Sequence, residues 1–153
     1  MRPSGTPRFA ADAMLGRLAR WLRLLGFDTS WRAHVPDAEL VRHALAEERV
    51  VLTRDRRLPE EWTRVPVVVL RSEDLPGQLA ELAEHFALAA DARPFTRCNR
   101  CNEPLEAAST AEVHEHVPAR VRARHHDFRR CPRCGRVYWA GSHVARIRGL
   151  LET

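Results

Sequence analysis

Four cysteines and three aspartates carry the chemistry this sequence can do. The cysteines form two C-x-x-C pairs, Cys98-Asn-Arg-Cys101 and Cys131-Pro-Arg-Cys134. Each pair lets two thiolates grip one face of an ion, and two pairs close a tetrahedral four-cysteine site of the kind that holds structural zinc. The 29 residues between the pairs predict an inserted hairpin or loop. Disulfides are disfavoured in a chain whose first residues show no apolar export signal. A thioredoxin-like redox role would need a βαβ context that neither pair has. One structural zinc ion is therefore expected, and a module this poor in apolar residues needs it to fold.

The aspartates become a set only through the elements that position them. Phe9–Ala11 reads as a short strand ending at Asp12. A helical period follows over 14–25, with Met14, Leu15, Leu18, Ala19, Leu22 and Leu25 inward and Arg17, Arg20 and Arg23 between them. Taken alone, Asp12 reads as a helix cap. Further strands are expected over 27–31, 49–53 and 65–70. Helices are expected over 37–47, with Leu40, Val41, Ala44 and Leu45 inward, and over 75–88. Strands alternating with helices make a parallel sheet with right-handed crossovers. Asp12 follows the first strand, Asp55 follows the third, and Asp37 lies where the second strand's loop enters its helix. All three then fall on the carboxyl edge, where open α/β sheets place their sites. Asp28 opens the second strand and belongs to the opposite edge. Clustered carboxylates need a cation to stay ionised together, and Mg²⁺ or Mn²⁺, as one or two ions, is the natural occupant. Such ions activate water against phosphorus, and Arg17, Arg54 and Arg56 lie near enough to hold phosphates. Two other phosphate chemistries are excluded. A receiver domain needs adjacent acids and a Lys, and the chain has no Lys; a haloacid-dehalogenase-type phosphatase needs an acid where Met14 stands.

Charge separates the halves. Residues 1–90 hold 13 Arg against 13 acids, whereas residues 91–153 hold 12 Arg against 7, which accounts for the net charge of +5. An Arg-rich half favours nucleic acid as partner. Within it, Arg120, Arg122 and Arg124 can track a phosphate backbone, Tyr138 and Trp139 can stack on unpaired bases, and His143 is a further candidate contact. The pattern break at 89–94 divides the chain into an α/β domain over 1–90 and a four-cysteine zinc-ribbon module over 95–153. No apolar run is long enough to span a membrane, and a cytoplasmic location is expected.

Phe9-x-x-Asp12-x-Met-Leu-Gly-x-Leu-Ala-Arg-Trp-Leu-Arg-x-Leu-Gly-Phe-Asp28, then Leu52-Thr-Arg-Asp55, the two C-x-x-C pairs and Tyr138-Trp-x-Gly-Ser-His143 carry a resemblance. Together they resemble the PIN-domain family with a C-terminal zinc ribbon, the RNase-like domain also found at the C-terminus of Mut-seven-type exonucleases. The resemblance implies a PIN-like three-layer α/β/α sandwich and a divalent-metal-dependent ribonuclease whose catalytic acids match Asp12, Asp37 and Asp55. PIN nucleases commonly carry a further acid, for which Glu39 is the candidate here. The expected substrate is single-stranded RNA lying across the Arg-rich ribbon. The competing reading is a non-catalytic RNA-binding adaptor, in which the acids cap helices and the ribbon alone binds.

Overall fold

The computed structural model describes residues 5–141 together with 146, 149 and 151. Side chains that alternate across short strands build two cores at once. β1 (Phe9–Ala11) and β3 (Val50–Thr53) are buried on both faces, as parallel strands are when helices cover each side. Phe9, Ala11, Val50 and Leu52 face one core, and Ala10 and Val51 face the other. With β2 (Thr29–Ser30) and β4 (Val67–Val69) they form a parallel sheet in the order β2-β1-β3-β4. The first core is closed by α1 (Gly16–Leu24), α4 (Leu75–His85) and α5 (Leu88–Asp91). The second is closed by α2 (Asp37–Ala46) and α3 (Leu58–Glu61). The outcome is a three-layer α/β/α sandwich. Among the described residues no helix is long and apolar enough to cross a membrane.

The strand order decides where a site can form. From β1 the chain moves outward to β2, then crosses back over β1 through α2 to reach β3. The winding therefore reverses between β1 and β3, and such a switch point opens a crevice at the carboxyl ends of the strands. Asp12 and Asp55 flank it.

Several elements depart from the periodicity. Met14, expected inward, is 72% exposed. Residues 13–15 form a 3₁₀ turn rather than the start of α1, and three residues per turn rotate Met14 off the buried face. Leu45, also expected inward, is 46% exposed and stands beside a shallow groove lined by Val41 and Trp62. The helix expected over 75–88 breaks at Phe86, which is extended (φ −134°, ψ 149°). Gly26 ends α1 with φ 94°. A Cβ there would lie 2.3 Å from Arg93 O, so only glycine lets the linker pass this close.

Beyond the linker, β5 (Glu106–Ala107), β6 (Phe128–Arg130) and β7 (Val137–Trp139) form an antiparallel sheet in that order. The segment between the cysteine pairs is more than a hairpin or loop, because α6 (Thr110–His116) and α7 (Ala119–Arg122) lie within it. A capping box starts α6: Ser109 Oγ accepts the Glu112 N–H at 3.1 Å, and Glu112 Oε1 accepts the Ser109 N–H at 3.0 Å. Ser-x-x-Glu is the sequence signal for such a start.

Candidate active site and metal centre

Asp12 is tied into the sheet before its side chain does anything. Its N–H donates to Leu52 O and its carbonyl accepts the Leu15 N–H, both at 2.9 Å. The carboxylate makes no capping bond, so the helix-cap reading does not hold. Oδ2 accepts the Thr53 hydroxyl at 2.8 Å, and Thr53 Oγ1 accepts the Asp55 N–H at 3.0 Å. Asp55 Oδ1 accepts the Arg57 N–H at 2.9 Å, an Asx turn that shapes the loop. One buried hydroxyl thus joins the two acids on either side of the switch point. Thr53 belongs to no catalytic pattern in the sequence, although its place as the last residue of a buried strand beside an acid is a usable signal.

Asp37 is the first residue of α2, one past its N-cap Pro36. Partial burial, then the charges of Asp12, Asp55 and Glu61, push its carboxyl above the usual carboxylate range. Four acids therefore share one electrostatic field. Glu61, at the end of α3, is the member that periodicity does not reveal; the Glu60-Glu61 pair soon after Asp55 is the available signal. Glu39, in the first turn of α2, pairs instead with Arg32 at 2.7 Å. Arg17 is exposed on α1. Arg54 Nη2 lies 3.5 Å from Glu73 Oε1, while its Nε is buried without a hydrogen-bond partner among the described residues. Asp28 sits at the opposite edge, held by Arg49 at 2.8 Å and Arg8 at 3.3 Å.

Two tests follow from this geometry. Thr53→Val keeps shape but leaves Asp12 Oδ2 and the Asp55 N–H without their partner, and should cost about 1–3 kcal/mol in a urea melt. For Asp37, a pKa raised by folding means that the folded state holds the proton more tightly than the unfolded chain. Its contribution is fully present below the unfolded pKa and is lost as pH rises through the folded one. Asp37→Asn should therefore stabilise the metal-free protein at neutral pH by about 0.2–1 kcal/mol. Paired melts at neutral and acidic pH check this, since the gain should vanish in acid.

The cysteines occupy two turns of matching geometry. Cys98 N–H donates to Glu103 O and Asn102 N–H to Cys98 O; Cys131 N–H donates to Arg136 O and Gly135 N–H to Cys131 O, all at 2.9 Å. The residue after each pair is left-handed, Asn102 at φ 63° and Gly135 at φ 78°, a region that Gly and Asn tolerate best. All four Sγ atoms lie within 4.8 Å of one another, the only such group of three or more among the described residues, and none is in a disulfide. Cys98 Sγ and Cys134 Sγ are 3.8 Å apart; a zinc–sulfur distance of about 2.3 Å gives a tetrahedral edge of about 3.8 Å. Burial raises the Cys98 thiol, but hydrogen bonds from Tyr138 and the Cys101 and Arg100 amides outweigh it and bring the pKa to about 7. The donor set and its spacing fit a metal ion such as zinc.

This turn is bound to the α/β domain by residues that cysteine spacing could not reveal. Asn102 Oδ1 accepts the Thr29 N–H at 3.0 Å and its Nδ2 donates to Asp28 Oδ1 at 2.7 Å. Arg23, buried in α1, donates to Thr29 O at 2.8 Å and to the carbonyls of Asn99 and Arg100 at 3.2 and 3.3 Å.

The expected nucleic-acid contacts are scattered. Arg120 and Arg122 ride on α7 rather than on an extended strand, Arg122 meets His114, and Arg124 is exposed just beyond. The Tyr138 hydroxyl points inward, 3.0 Å from Cys98 Sγ and 2.8 Å from Asn99 Oδ1. Trp139 packs edge-on against Phe128 at 6.2 Å. His143 lies outside the described residues.

A parallel α/β/α domain with an acidic carboxyl edge, joined to a four-cysteine ribbon, is the class that fold and site define. The Mut7-C RNAse domain family matches residues 7–151, and the chain belongs to that family. Membership makes it a ribonuclease-type domain with RNA as its substrate class. Neither a curated protein nor a solved structure shows significant similarity to the chain.

Proposed function

We propose that the chain is a PIN-type ribonuclease that hydrolyses phosphodiester bonds of single-stranded RNA with one or two Mg²⁺ or Mn²⁺ ions at the acidic edge. The observation that carries this reading is the pair Asp12 and Asp55 on either side of the switch point, joined through the Thr53 hydroxyl, with Asp37 near enough that its carboxyl is raised by burial and then by the charges of Asp12, Asp55 and Glu61. No three of these acids bring carboxylate oxygens within 4.8 Å of one another, so an ion would draw them inward, and a hard divalent cation is the kind that carboxylates at a switch-point crevice suit. Asp12, Asp37 and Asp55 would hold the ion, with Glu61 rather than Glu39 as the fourth acid. When bound, such an ion supplies Lewis acidity to the phosphate and acidifies the attacking water. Thr53 orients Asp12 through Oδ2 and leaves Oδ1 for the ion. Arg17 and Arg54 would receive phosphate oxygens. The four-cysteine site holds one structural zinc ion, and the surplus of Arg in the ribbon draws the RNA strand.

The test is incubation of the zinc-loaded protein with end-labelled single-stranded RNA. Cleavage should appear with added Mn²⁺ or Mg²⁺ and disappear when the divalent ion is withheld. Salt-sensitive binding with no cutting under either metal would replace the nuclease by the RNA-binding adaptor.

A further inference from the structure

A cavity of about 230 Å³ opens at the carboxyl end of β2, one strand over from Asp12. Trp31 supplies an aromatic ring and Val35 and Leu40 an aliphatic surface; Ser30 and Asn102 supply neutral polar groups; Arg23 and Arg32 supply positive nitrogen. His43, whose Nε2 meets Glu47 Oε2 at 2.5 Å, and Cys101 of the four-cysteine cluster complete the rim. Ala11, the residue before Asp12, also reaches it. We infer that this cavity is a nucleotide subsite, taking one unstacked base of an RNA strand against Trp31 with its phosphate toward Arg32.

The ring is held ready for that task. Trp31 Nε1 donates to Ala13 O at 3.1 Å. A Cβ on Gly16 would lie 2.7 Å from the Trp31 Cζ2, so the absence of a side chain there is what lets the ring lie down. Ala13 opens the 3₁₀ turn that leads out of Asp12, and Gly16 is the first residue of α1 directly after it. The wall that receives the base and the acid at the cutting edge therefore hang on the same few residues. A pre-oriented aromatic surface loses little entropy on stacking, and every base offers a π-face to it. Arg23 spends Nε and Nη1 on backbone carbonyls, and its Nη2 makes no hydrogen bond among the described residues. Arg32 uses Nη2 on Glu39, which leaves its other donors for an anion. A walled cavity of this size admits a base only when it is out of a duplex, so the subsite selects single strands or loops.

The inference rests on the nuclease reading for its biological ligand, but its test does not need cleavage. Adenosine and uridine 5′-monophosphates are titrated into the zinc-loaded protein without Mg²⁺ or Mn²⁺, and the indole N–H of Trp31 is followed by NMR, assigned with Trp31→Phe. The expected result is a saturable shift of that signal with at least one nucleotide. Ser30→Leu, which fills the cavity from an edge-strand position, should weaken binding at least about tenfold at an unchanged melting temperature. Should that variant fail to fold, Arg32→Ala, at an exposed side chain, should weaken it at least about threefold. An unmoved Trp31 signal up to about 10 mM of both nucleotides overturns the inference, as does unchanged affinity in whichever variant folds. A protein that holds nucleotide at Trp31 yet never cuts RNA keeps the subsite and loses the nuclease; one that cuts RNA with Trp31 unmoved does the reverse.

Discussion

Asp12→Asn is expected to lower Mn²⁺-dependent RNA cleavage by at least about 100-fold while leaving the fold intact. Partners one shell out from a metal already cost about 10–100-fold when removed, so the loss of a ligand charge sets that range as a floor. The fold should survive because Asn has the same shape and its amide oxygen still accepts the Thr53 hydroxyl that now meets Oδ2 at 2.8 Å. Stability should even rise slightly, since the Asp12 charge is one of those that push the Asp37 pKa up. The pairing of the two effects matters more than either alone. A helix cap lost would lower stability by about 1 kcal/mol and spare activity; a metal ligand lost does the opposite. Cleavage assays and thermal melts of the same preparations separate them. Wild-type cleavage rates in the variant would remove Asp12 from the catalytic site.

How much of this was legible in the sequence depended on whether a feature has a period. Strand and helix alternation gave the parallel sheet, and with it the shared edge of Asp12, Asp37 and Asp55 and the exile of Asp28, which the structure places against Arg8 and Arg49. The two C-x-x-C pairs gave the four-cysteine cluster, because a fixed spacing maps directly onto a ligand bite. What escaped lacks periodicity. Met14 fits the apolar stripe until the chain tightens into a 3₁₀ turn, and no pattern of hydrophobicity distinguishes the two turns. Thr53 and Asn102 act through contacts set by tertiary packing, across 41 residues for Thr53 with Asp12 and 73 for Asn102 with Thr29, and Glu61 acts on Asp37 through its charge. Tyr138 shows the converse hazard. A Tyr-Trp pair in a basic module suggests base stacking, while spacing says nothing of the second task the structure gives Tyr138, whose hydroxyl lies beside Cys98.

Removal of the ribbon's metal should have the largest effect on the structure, and its reach should extend into the α/β domain. The described apolar core of the ribbon is small. Phe95, Cys98, Val117, Cys131 and Val137 are its buried residues, and two of the five are ligands. Structural zinc contributes about 10–16 kcal/mol in small zinc-binding peptides, far more than so few side chains can replace, so chelation or Cys131→Ser should unfold the ribbon. Arg23 then loses the Asn99 and Arg100 carbonyls and keeps only Thr29 O, a buried guanidinium stripped of most of its acceptors. Thr29 loses the Asn102 side chain from its N–H, which exposes the edge of β2. Uncompensating a buried charge costs about 3–5 kcal/mol, and at about 2–4 °C per kcal/mol for a chain of this size the melting temperature should fall by about 6–20 °C. Hydrogen exchange locates the damage: the Thr29 amide should lose protection, while Asp12 N–H, bonded to Leu52 O inside the sheet, should keep it. Asn102→Gly separates the metal from the coupling, because glycine preserves the left-handed turn while deleting the amide that reaches β2. With zinc bound, it should release Thr29 alone and leave the ribbon folded. Full protection of Thr29 in that variant would show that β2 is held by its own sheet and that the ribbon is only a neighbour.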